Sequence, residues 1–199
     1  MCARRVKIRL VPKPIITAHR AAPRAVFLDR DGVLTRSIVR DGKPYAPASP
    51  AELEIEEDAP AALAALKRLG FLLLVVTNQP DVARGALPPA ALEEMHAALR
   101  AALPLDGIYV CPHDDGDNCR CRKPRPGMLE DAAREHGIDL ARSVMVGDRW
   151  RDVDAGHHAG CATVLIDRGY DERPPSRPPH ARVRSLAEAA AWIGEAFRE

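Results

Sequence analysis

The sequence predicts an α/β domain built on a doubly wound parallel β-sheet. Two observations indicate this fold class. Five short apolar runs recur along the chain, and amphipathic helical segments lie between them. Apolar runs without alternation are typical of strands buried on both faces. Strands that alternate with helices produce parallel sheets with right-handed crossovers. At 199 residues the chain fits one domain, because roughly 150 residues per domain is usual.

The predicted strands are the five apolar runs, and the predicted helices lie between and after them. The strands cover 26–28, 71–76, 108–110, 144–146 and 163–166. The helices cover about 58–69, 88–103, 126–136, 152–159 and 185–197. Asp58 is a suitable N-cap for the first helix, and Gly70 follows its end. The second helix carries an apolar stripe at helical spacing that indicates core packing, with His96 expected at the surface.

Charge is unevenly distributed along the chain and divides it into three segments. Residues 1–24 carry seven Lys or Arg and no acid, whereas the remainder carries 22 basic and 28 acidic residues. We expect 1–24 to be a flexible basic extension, 25–170 to be the main domain, and 171–199 to be a proline-rich linker followed by a helix that packs on the domain. An acidic body disfavours nucleic acid as a partner.

Other features of the sequence bear on compartment and assembly. No apolar run approaches the roughly 18 residues that a membrane span needs, and no export signal precedes the domain. We therefore expect a cytoplasmic protein without a membrane partner. We also expect a monomer.

Polar side chains follow several predicted strands at the point where each strand ends. Asp29 and Asp31 follow the first strand, Thr77 and Asn78 follow the second, and Asp148 follows the fourth. Ligands of open α/β sheets bind at the carboxyl ends of the strands, so these residues form one candidate site. Neighbouring carboxylates repel each other unless a cation compensates, and Mg²⁺ prefers oxygen ligands.

The carboxylates predict a Mg²⁺ site formed by Asp29, Asp31 and Asp148, and this type of site usually serves phosphate chemistry. One carboxylate of the first pair can attack phosphorus, and the other can act as general acid and base. The Thr77 hydroxyl and the Lys123 ammonium can bind the phosphoryl oxygens.

A loop rich in cysteine predicts a second metal site. Cys111, His113, Cys119 and Cys121 lie within eleven residues, and three thiolates with one imidazole suit a closed tetrahedral Zn²⁺ site. The alternatives are reduced thiols or a disulfide. Zinc would order a loop that is too poor in apolar residues to order itself, and it would hold the adjacent Lys123 in place.

Four motifs carry a resemblance to a known family over about residues 25–170. "FLDRDGVL", "VVTNQ", "CRKPRPGM" and "VGDRWRD" resemble, in order, the motifs of haloacid dehalogenase (HAD)-superfamily phosphatases. The resemblance implies a Rossmann-like HAD fold, Asp29 as nucleophile and Asp31 as general acid/base. It also implies Mg²⁺ held by Asp29, Asp148 and the backbone carbonyl of Asp31.

The same resemblance implies roles for residues around the phosphate. Thr77, Asn78, Arg122 and Lys123 would bind the substrate and its phosphate. Asp152 would stand behind them as a supporting acid or an outer partner of the metal.

The cysteine loop narrows the resemblance to a subgroup. It is similar to the loop of the HAD phosphatases that include the D-glycero-D-manno-heptose 1,7-bisphosphate 7-phosphatases and the histidinol-phosphate phosphatases, which lack a large cap domain. The sequence is closer to the heptose branch. The resemblance therefore implies a phosphomonoesterase that acts on a small phosphorylated substrate and forms an aspartyl-phosphate, with histidinol-phosphate phosphatase as the first alternative. A nucleic-acid 3′-phosphatase and a non-catalytic zinc-loop binding protein are the further alternatives.

Overall fold

A parallel β-sheet covered by helices on both faces forms the protein, which a computed structural model describes for residues 22–198. In chain order the strands are β1 (Ala25–Leu28), β2 (Ile38–Arg40), β3 (Lys43–Tyr45), β4 (Leu72–Asn78), β5 (Gly107–Cys111), β6 (Val144–Gly147), β7 (Ala162–Ile166) and β8 (Ala181–Val183). The α-helices are α1 (Ala59–Arg68), α2 (Pro80–Ala83), α3 (Pro89–Ala102), α4 (Gly127–His136), α5 (Trp150–Ala159) and α6 (Leu186–Ala196). Most of the basic extension predicted for 1–24, including residues 1–21, lies outside the described residues.

The predicted doubly wound parallel sheet is confirmed. Six strands pair in the order β5-β4-β1-β6-β7-β8, and every pairing is parallel. The chain adds β4 and β5 on one side of β1 and then returns to add β6, β7 and β8 on the other. The order of the strands therefore reverses at β1, and the carboxyl ends around β1 are where such sheets bind ligands.

Strand β1 is buried on both faces because each face packs against a different helical layer. Val26 and Leu28 belong to the apolar cluster that includes residues of α1, α3 and α6. Ala25 and Phe27 belong to the cluster that includes residues of α4 and α5. Alternate residues of a strand point to opposite faces, so a run of four apolar residues is required here.

The C-terminal helix packs on the first helix of the domain. Leu186 and Ile193 of α6 are buried in the same cluster as Leu63 and Leu66 of α1. The predicted N-cap Asp58 lies at the start of α1, but its carboxylate accepts a hydrogen bond from the backbone N–H of Ala187 at 2.8 Å. That contact joins the two helix starts across the surface of the domain.

Three short strands, β2, β3 and β8, were missing from the sequence prediction. β2 and β3 form an antiparallel hairpin over 38–45, and β8 forms the edge of the sheet. Asp41 and Gly42 make the turn with positive φ at both positions, the combination that a two-residue hairpin turn favours. The described residues contain no large cap domain between β1 and α1, only this hairpin and a 3-10 turn over Pro50–Glu52. No helix in the described range is long and apolar enough to cross a membrane.

Candidate active site

A cleft of about 340 Å³ opens at the carboxyl ends of β1, β4 and β6. The predicted residues that line it are Asp29, Asp31, Asn78, Arg122, Lys123, Asp148 and Asp152. The strand ends thus bring together side chains separated by more than 120 positions in the sequence. Ser37, Pro44, Tyr45 and Ala46 line the same cleft from the hairpin segment.

Asp29 is held at the floor of the cleft through one of its two carboxylate oxygens. Its Oδ1 accepts a hydrogen bond from the backbone N–H of Arg30 at 2.7 Å and lies 2.9 Å from Nζ of Lys123. Burial raises the pKa of Asp29 to about 7, and the positive charge of Lys123 opposes that rise. Because both contacts fall on Oδ1, Oδ2 is the candidate atom for attack on a substrate.

Lys123 lies between two carboxylates in the interior of the protein. Its Nζ is 2.9 Å from Oδ1 of Asp29 and 2.6 Å from Oδ1 of Asp152, and its side chain is 1% exposed. Burial alone would lower the pKa of this amine, but the two carboxylates outweigh it and raise the pKa. Lys123 is therefore a fixed positive charge beside the candidate nucleophile, and Asp152 is its second partner.

Asp148 is the carboxylate of the cleft that the protein compensates least. No group of the described residues donates a hydrogen bond of normal geometry to either of its buried oxygens, although the Tyr170 hydroxyl approaches it. Burial, together with the charges of Asp152 and Asp29, raises the pKa of Asp148 well above its ordinary value. A buried carboxylate in this state needs a proton or a cation.

The arrangement of the carboxylates fits a divalent cation. Oxygen atoms of Asp29, Asp148 and Asp152 lie within 4.8 Å of one another, and hard cations such as Mg²⁺ take oxygen ligands. Lys123 occupies one side of Asp29 and Asp152, so the unpartnered Asp148 is the member whose charge a cation would balance.

The side chain of Asp31 is engaged by protein donors instead. Its Oδ1 accepts from Nε of Arg30 at 2.9 Å and from the Thr35 hydroxyl at 3.1 Å. Its Oδ2 accepts from Nη2 of Arg30 and from Nε2 of Gln79, both at 2.9 Å. The Asp31 side chain is absent from the group of carboxylates that could share an ion. A contribution of Asp31 to a metal would therefore come through its backbone carbonyl.

Thr77 and Asn78, the two predicted residues at the end of β4, differ in their access to the cleft. Thr77 is 1% exposed and is absent from the cleft lining, and its hydroxyl accepts a hydrogen bond from Nε2 of Gln79 at 2.8 Å. Asn78 lines the cleft, yet its amide forms two hydrogen bonds of 3.1 Å with the backbone of Lys123, one donated and one accepted. Asn78 therefore fixes the backbone that carries the buried ammonium.

A group of arginines surrounds the mouth of the cleft. Arg122 donates from Nε to Oδ1 of Asp115 at 2.7 Å, and Arg151 donates from Nη1 to the same oxygen at 3.1 Å. Arg84 lies on the same rim and pairs with Asp114 at 2.7 Å. Arginines, each paired with an aspartate, thus form the entrance, while Asp29, Asp148 and Asp152 lie at the floor.

The four predicted zinc ligands converge on one point. Sγ of Cys119 lies 3.6 Å from Sγ of Cys111 and 3.4 Å from Sγ of Cys121, and Nδ1 of His113 lies 3.4 Å and 3.7 Å from the sulfurs of Cys121 and Cys111. A tetrahedral Zn²⁺ with Zn–S bonds of about 2.3 Å requires sulfurs about 3.8 Å apart. These sulfurs are too far apart for a disulfide, and the described cysteines are all free. The ligand set and its spacing fit zinc.

Sequence reasoning missed three residues near the site. His96 was expected at the surface, and this prediction was wrong: the side chain is 3% exposed and faces Arg30. Arg30 itself is fully buried, and Gln79 joins Thr77 to Asp31. A charged residue between the two aspartates was the available signal for Arg30. The signal for His96 was its place on the apolar stripe, four residues after Leu92 and three before Leu99.

Comparisons with known proteins find relatives of one family. Residues 120–189 match a family model described as HAD-hydrolase-like. A D-glycero-β-D-manno-heptose-1,7-bisphosphate 7-phosphatase of Bordetella bronchiseptica is 37% identical over 175 residues, which cover 85% of this chain and 95% of that protein. The enzyme of the same name from Pseudomonas aeruginosa is 37% identical, over 77% of this chain and 86% of that protein.

Solved structures show the same relationship. The crystal structure of the D,D-heptose 1,7-bisphosphate phosphatase of B. bronchiseptica, complexed with magnesium and phosphate, aligns with a TM-score of 0.73 and 33% identity. That alignment covers 87% of this chain and 99% of the other. A HAD-like phosphatase structure from Mesorhizobium loti aligns with a TM-score of 0.67 and 27% identity over 98% of this chain and 93% of the other.

Proposed function

The chain belongs to the HAD-like phosphatases, and from that premise we propose that it is a Mg²⁺-dependent phosphomonoesterase that removes the 7-phosphate of D-glycero-β-D-manno-heptose 1,7-bisphosphate. One observation carries the proposal. Asp29 and Asp31 line a single cleft with the buried ammonium of Lys123 and the unpartnered carboxylate of Asp148. Phosphoryl transfer needs this combination of a nucleophile, a proton donor and concentrated positive charge.

The residues of the cleft divide the reaction into two displacements. Oδ2 of Asp29 attacks phosphorus, the bond from phosphorus to the leaving oxygen breaks, and Asp31 gives its proton to that oxygen. Water then attacks the aspartyl-phosphate, Asp31 takes a proton from the water, and Asp29 is released with inorganic phosphate. Lys123 stays beside Asp29 and balances the charge of the phosphoryl oxygens in both displacements.

Asp29, Asp148 and the backbone carbonyl of Asp31 would hold Mg²⁺ in this proposal. Bound there, the ion would screen the carboxylates from an incoming phosphate and polarise the phosphoryl group. The support for this assignment is the buried carboxylate of Asp148, the one that the protein compensates least.

The substrate assignment rests on the relatives and on the rim of the cleft. The curated relatives above are named as 7-phosphatases of the β-anomer of the heptose bisphosphate. A bisphosphate carries a second anionic group, and Arg84, Arg122 and Arg151 supply positive charge at the mouth of the cleft, away from Asp29.

We assign zinc to the cluster of Cys111, His113, Cys119 and Cys121. All four ligand positions are filled by protein, so this ion would be structural. The chain passes directly from Cys121 to Arg122 and Lys123, so ordering the loop places two cations of the cleft. Cysteines that bind metal as thiolates suit a reducing compartment, which supports the cytoplasm as the location.

The test is phosphate release from a panel of phosphate esters, measured with Mg²⁺ and with EDTA. The panel contains both anomers of the heptose 1,7-bisphosphate, fructose 1,6-bisphosphate, histidinol phosphate and a 3′-phosphorylated oligonucleotide. We expect the β-anomer to have the highest kcat/KM and to lose turnover in EDTA. Faster hydrolysis of histidinol phosphate or of the oligonucleotide would overturn the substrate assignment.

Replacement of the nucleophile tests the mechanism directly. Asp29→Asn should abolish turnover and leave the thermal unfolding midpoint close to that of the wild type. Asp131→Asn is the matched control and should keep turnover, because Asp131 lies on α4 outside the cleft and pairs with Arg120 and Arg134. Turnover that persists in Asp29→Asn would rule out the aspartyl-phosphate.

A further inference from the structure

Arg30 is a fully buried arginine whose guanidinium binds the carboxylate of Asp31 through two hydrogen bonds. Its side chain is 0% exposed, and its Nε and Nη2 donate to Oδ1 and Oδ2 of Asp31, each at 2.9 Å. Two parallel hydrogen bonds from a planar guanidinium fix both the position and the plane of a carboxylate. Asp31 accepts further hydrogen bonds from Thr35 and Gln79, so its plane is defined from more than one side.

Arg30 also contacts the second carboxylate of the pair. Its backbone N–H donates to Oδ1 of Asp29 at 2.7 Å. One residue therefore orients both acids, Asp29 through the main chain and Asp31 through the side chain. A guanidinium that moved would disturb Asp31 and leave the contact to Asp29 in place.

His96 lies behind the guanidinium on the side away from Asp31. Nε2 of His96 is 3.4 Å from Nη1 of Arg30, and the sulfur of Met95 lies 3.8 Å from the same nitrogen. A guanidinium can only donate hydrogen bonds, so Nε2 must accept and the proton of the ring must be on Nδ1. Burial and the positive charge of Arg30 lower the pKa of His96 to about 4, which keeps the ring neutral and able to accept.

We propose that Arg30 and His96 are positioning residues for Asp31: His96 holds the guanidinium, and the guanidinium aims the Asp31 carboxylate at the leaving oxygen. The inference rests on the proposed function, because it assumes that Asp31 transfers the proton. The other buried residues of α3 are Leu92, Met95 and Leu99, so His96 is the one polar side chain on the buried face of that helix.

A comparison of substrates with different leaving groups distinguishes this positioning role from a purely structural one. In the first displacement Asp29 forms its bond to phosphorus as the ester oxygen departs, and that oxygen takes the proton of Asp31. p-Nitrophenolate is stable as an anion and leaves without the proton. Phenolate is a stronger base, because a simple phenol has a pKa of about 10, and the alkoxide of a sugar is stronger still.

A misoriented Asp31 carboxyl group should therefore slow the departure of the three leaving groups to different extents, in the order of their need for a proton. The parameter to compare is kcat/KM, because it reports the steps up to departure of the leaving group and excludes hydrolysis of the aspartyl-phosphate. p-Nitrophenyl phosphate and phenyl phosphate have nearly the same shape, so the pair isolates the need for a proton.

The experiment compares Arg30→Lys, His96→Leu and His96→Gln with the wild type in the full chain with Mg²⁺ and zinc. Lysine keeps the charge but cannot form the two-point contact, leucine removes the acceptor at residue 96, and glutamine restores an acceptor at that position. We expect Arg30→Lys to lower kcat/KM about 100-fold on the heptose bisphosphate, the lower range of what a positioned acid contributes. The loss should be smaller on phenyl phosphate and minimal on p-nitrophenyl phosphate.

His96→Leu should show the same graded loss, and His96→Gln should recover most of it. Leu99→Met, a buried substitution on the same helix, is the packing control and should leave all three ratios unchanged. Should His96→Leu fail to fold, as judged by circular dichroism and thermal unfolding, Arg30→Lys and His96→Gln carry the comparison.

Two results would overturn the inference. Equal losses on all three esters in a folded variant would show that Arg30 and His96 only support the structure. A wild type that hydrolyses none of the esters would instead overturn the proposed function, and this inference with it. The first result leaves the phosphatase assignment intact, so the two failures are distinguishable.

Discussion

Gly32 and Asp148 are packed so closely that a side chain at residue 32 would collide with the carboxylate. A Cβ atom added to Gly32 would lie 1.8 Å from Oδ2 and 2.5 Å from Cγ of Asp148. The turn after β1 therefore forms one wall around the carboxylate that we assign to Mg²⁺. Gly32 also has a φ of +82°, which glycine adopts without cost.

The first prediction concerns this contact. Gly32→Ala should displace Asp148 and lower kcat/KM by roughly 100-fold, the scale expected when a group in a site moves by about 1 Å. The Mg²⁺ concentration for half-maximal activity should rise as well. Gly70→Ala is the control, since Gly70 has the same φ of +82° and no atom within 4 Å of the added Cβ.

Both alanine variants should lose at least about 1 kcal/mol of stability, because both place a side chain in the left-handed region. Gly32→Ala should lose more than this, because its Cβ also collides with Asp148. Only Gly32→Ala should lose activity. Equal activity in the two variants would show that the contact with Asp148 has no part in the reaction.

The second prediction concerns Lys123, whose ammonium joins Asp29 to Asp152. Lys123→Met should lower kcat by 100-fold or more, since removing one preorganised charge from a site costs about 10²–10³ in rate. It should also lower the free energy of unfolding by about 3–5 kcal/mol, because two buried carboxylates lose their partner. Steady-state kinetics and urea unfolding at pH 7 measure the two effects.

Lys123→Arg provides the contrast for that variant. It keeps the charge, so it should retain more stability than Lys123→Met, but its larger planar head does not fit between Asp29 and Asp152 and activity should still fall. A fully active Lys123→Met variant would contradict the role of this ammonium.

The third prediction concerns the cysteine loop. Elemental analysis of chelator-free protein should find about one zinc per chain, the content of one closed four-ligand site. Cys121→Ser should lose that zinc and unfold at a lower temperature, because the loop is ordered by metal binding. Cys161→Ala should keep it, since Cys161 is buried in the core beside α4 and α5 and lies outside the ligand cluster.

Chelation should have the same effect as the substitution. A strong chelator should lower the unfolding temperature of the wild type and leave that of Cys121→Ser nearly unchanged. Wild-type protein that contains no zinc and shows four reactive thiols would contradict the assignment.

The fourth prediction concerns the dependence of stability on pH that His96 introduces. Burial, followed by the charge of Arg30, lowers its pKa in the folded protein from 6.5 to about 4. Between these two values the unfolded chain binds a proton at this residue and the folded protein does not. The free energy of unfolding should therefore fall as the pH decreases from about 6.5 to about 4.

His96→Gln removes this proton uptake, so its stability should fall less than that of the wild type over the same pH interval. Guanidinium unfolding at several pH values measures the difference, and Leu99→Met, which removes no titratable group, should follow the wild type. Loss of zinc at low pH acts on all three proteins and cancels in the comparison. Parallel curves for the wild type and His96→Gln would contradict the neutral, buried state of the ring.

Much of the fold was readable from local patterns in the sequence. Strands that are buried on both faces, such as β1 and β6, need apolar residues on both faces. They therefore appear in the sequence as apolar runs that no polar residue interrupts. Helices α1 and α4 are followed by Gly70 and Gly137, and the structure ends them close to those positions. The hairpin β2–β3 and the edge strand β8 escaped notice because each strand is three residues long and only partly buried, so periodicity has too few positions to detect.

The sequence by itself determined the fold class and predicted that the chemical groups of the site lie together. It could do so because carboxylates, a lysine and a cysteine cluster at strand ends are local patterns, and the parallel topology gathers strand ends at one edge of the sheet.

Only the tertiary structure decided how those groups are used. It placed Lys123 between Asp29 and Asp152, left Asp148 without a partner, directed the Asp31 side chain to Arg30, and buried His96 behind that arginine. Each of these outcomes depends on which distant side chain arrives within about 3 Å, and hydrogen bonds and desolvation act only at that range. Sequence spacing carries no such distances, whereas the packed strands and helices do.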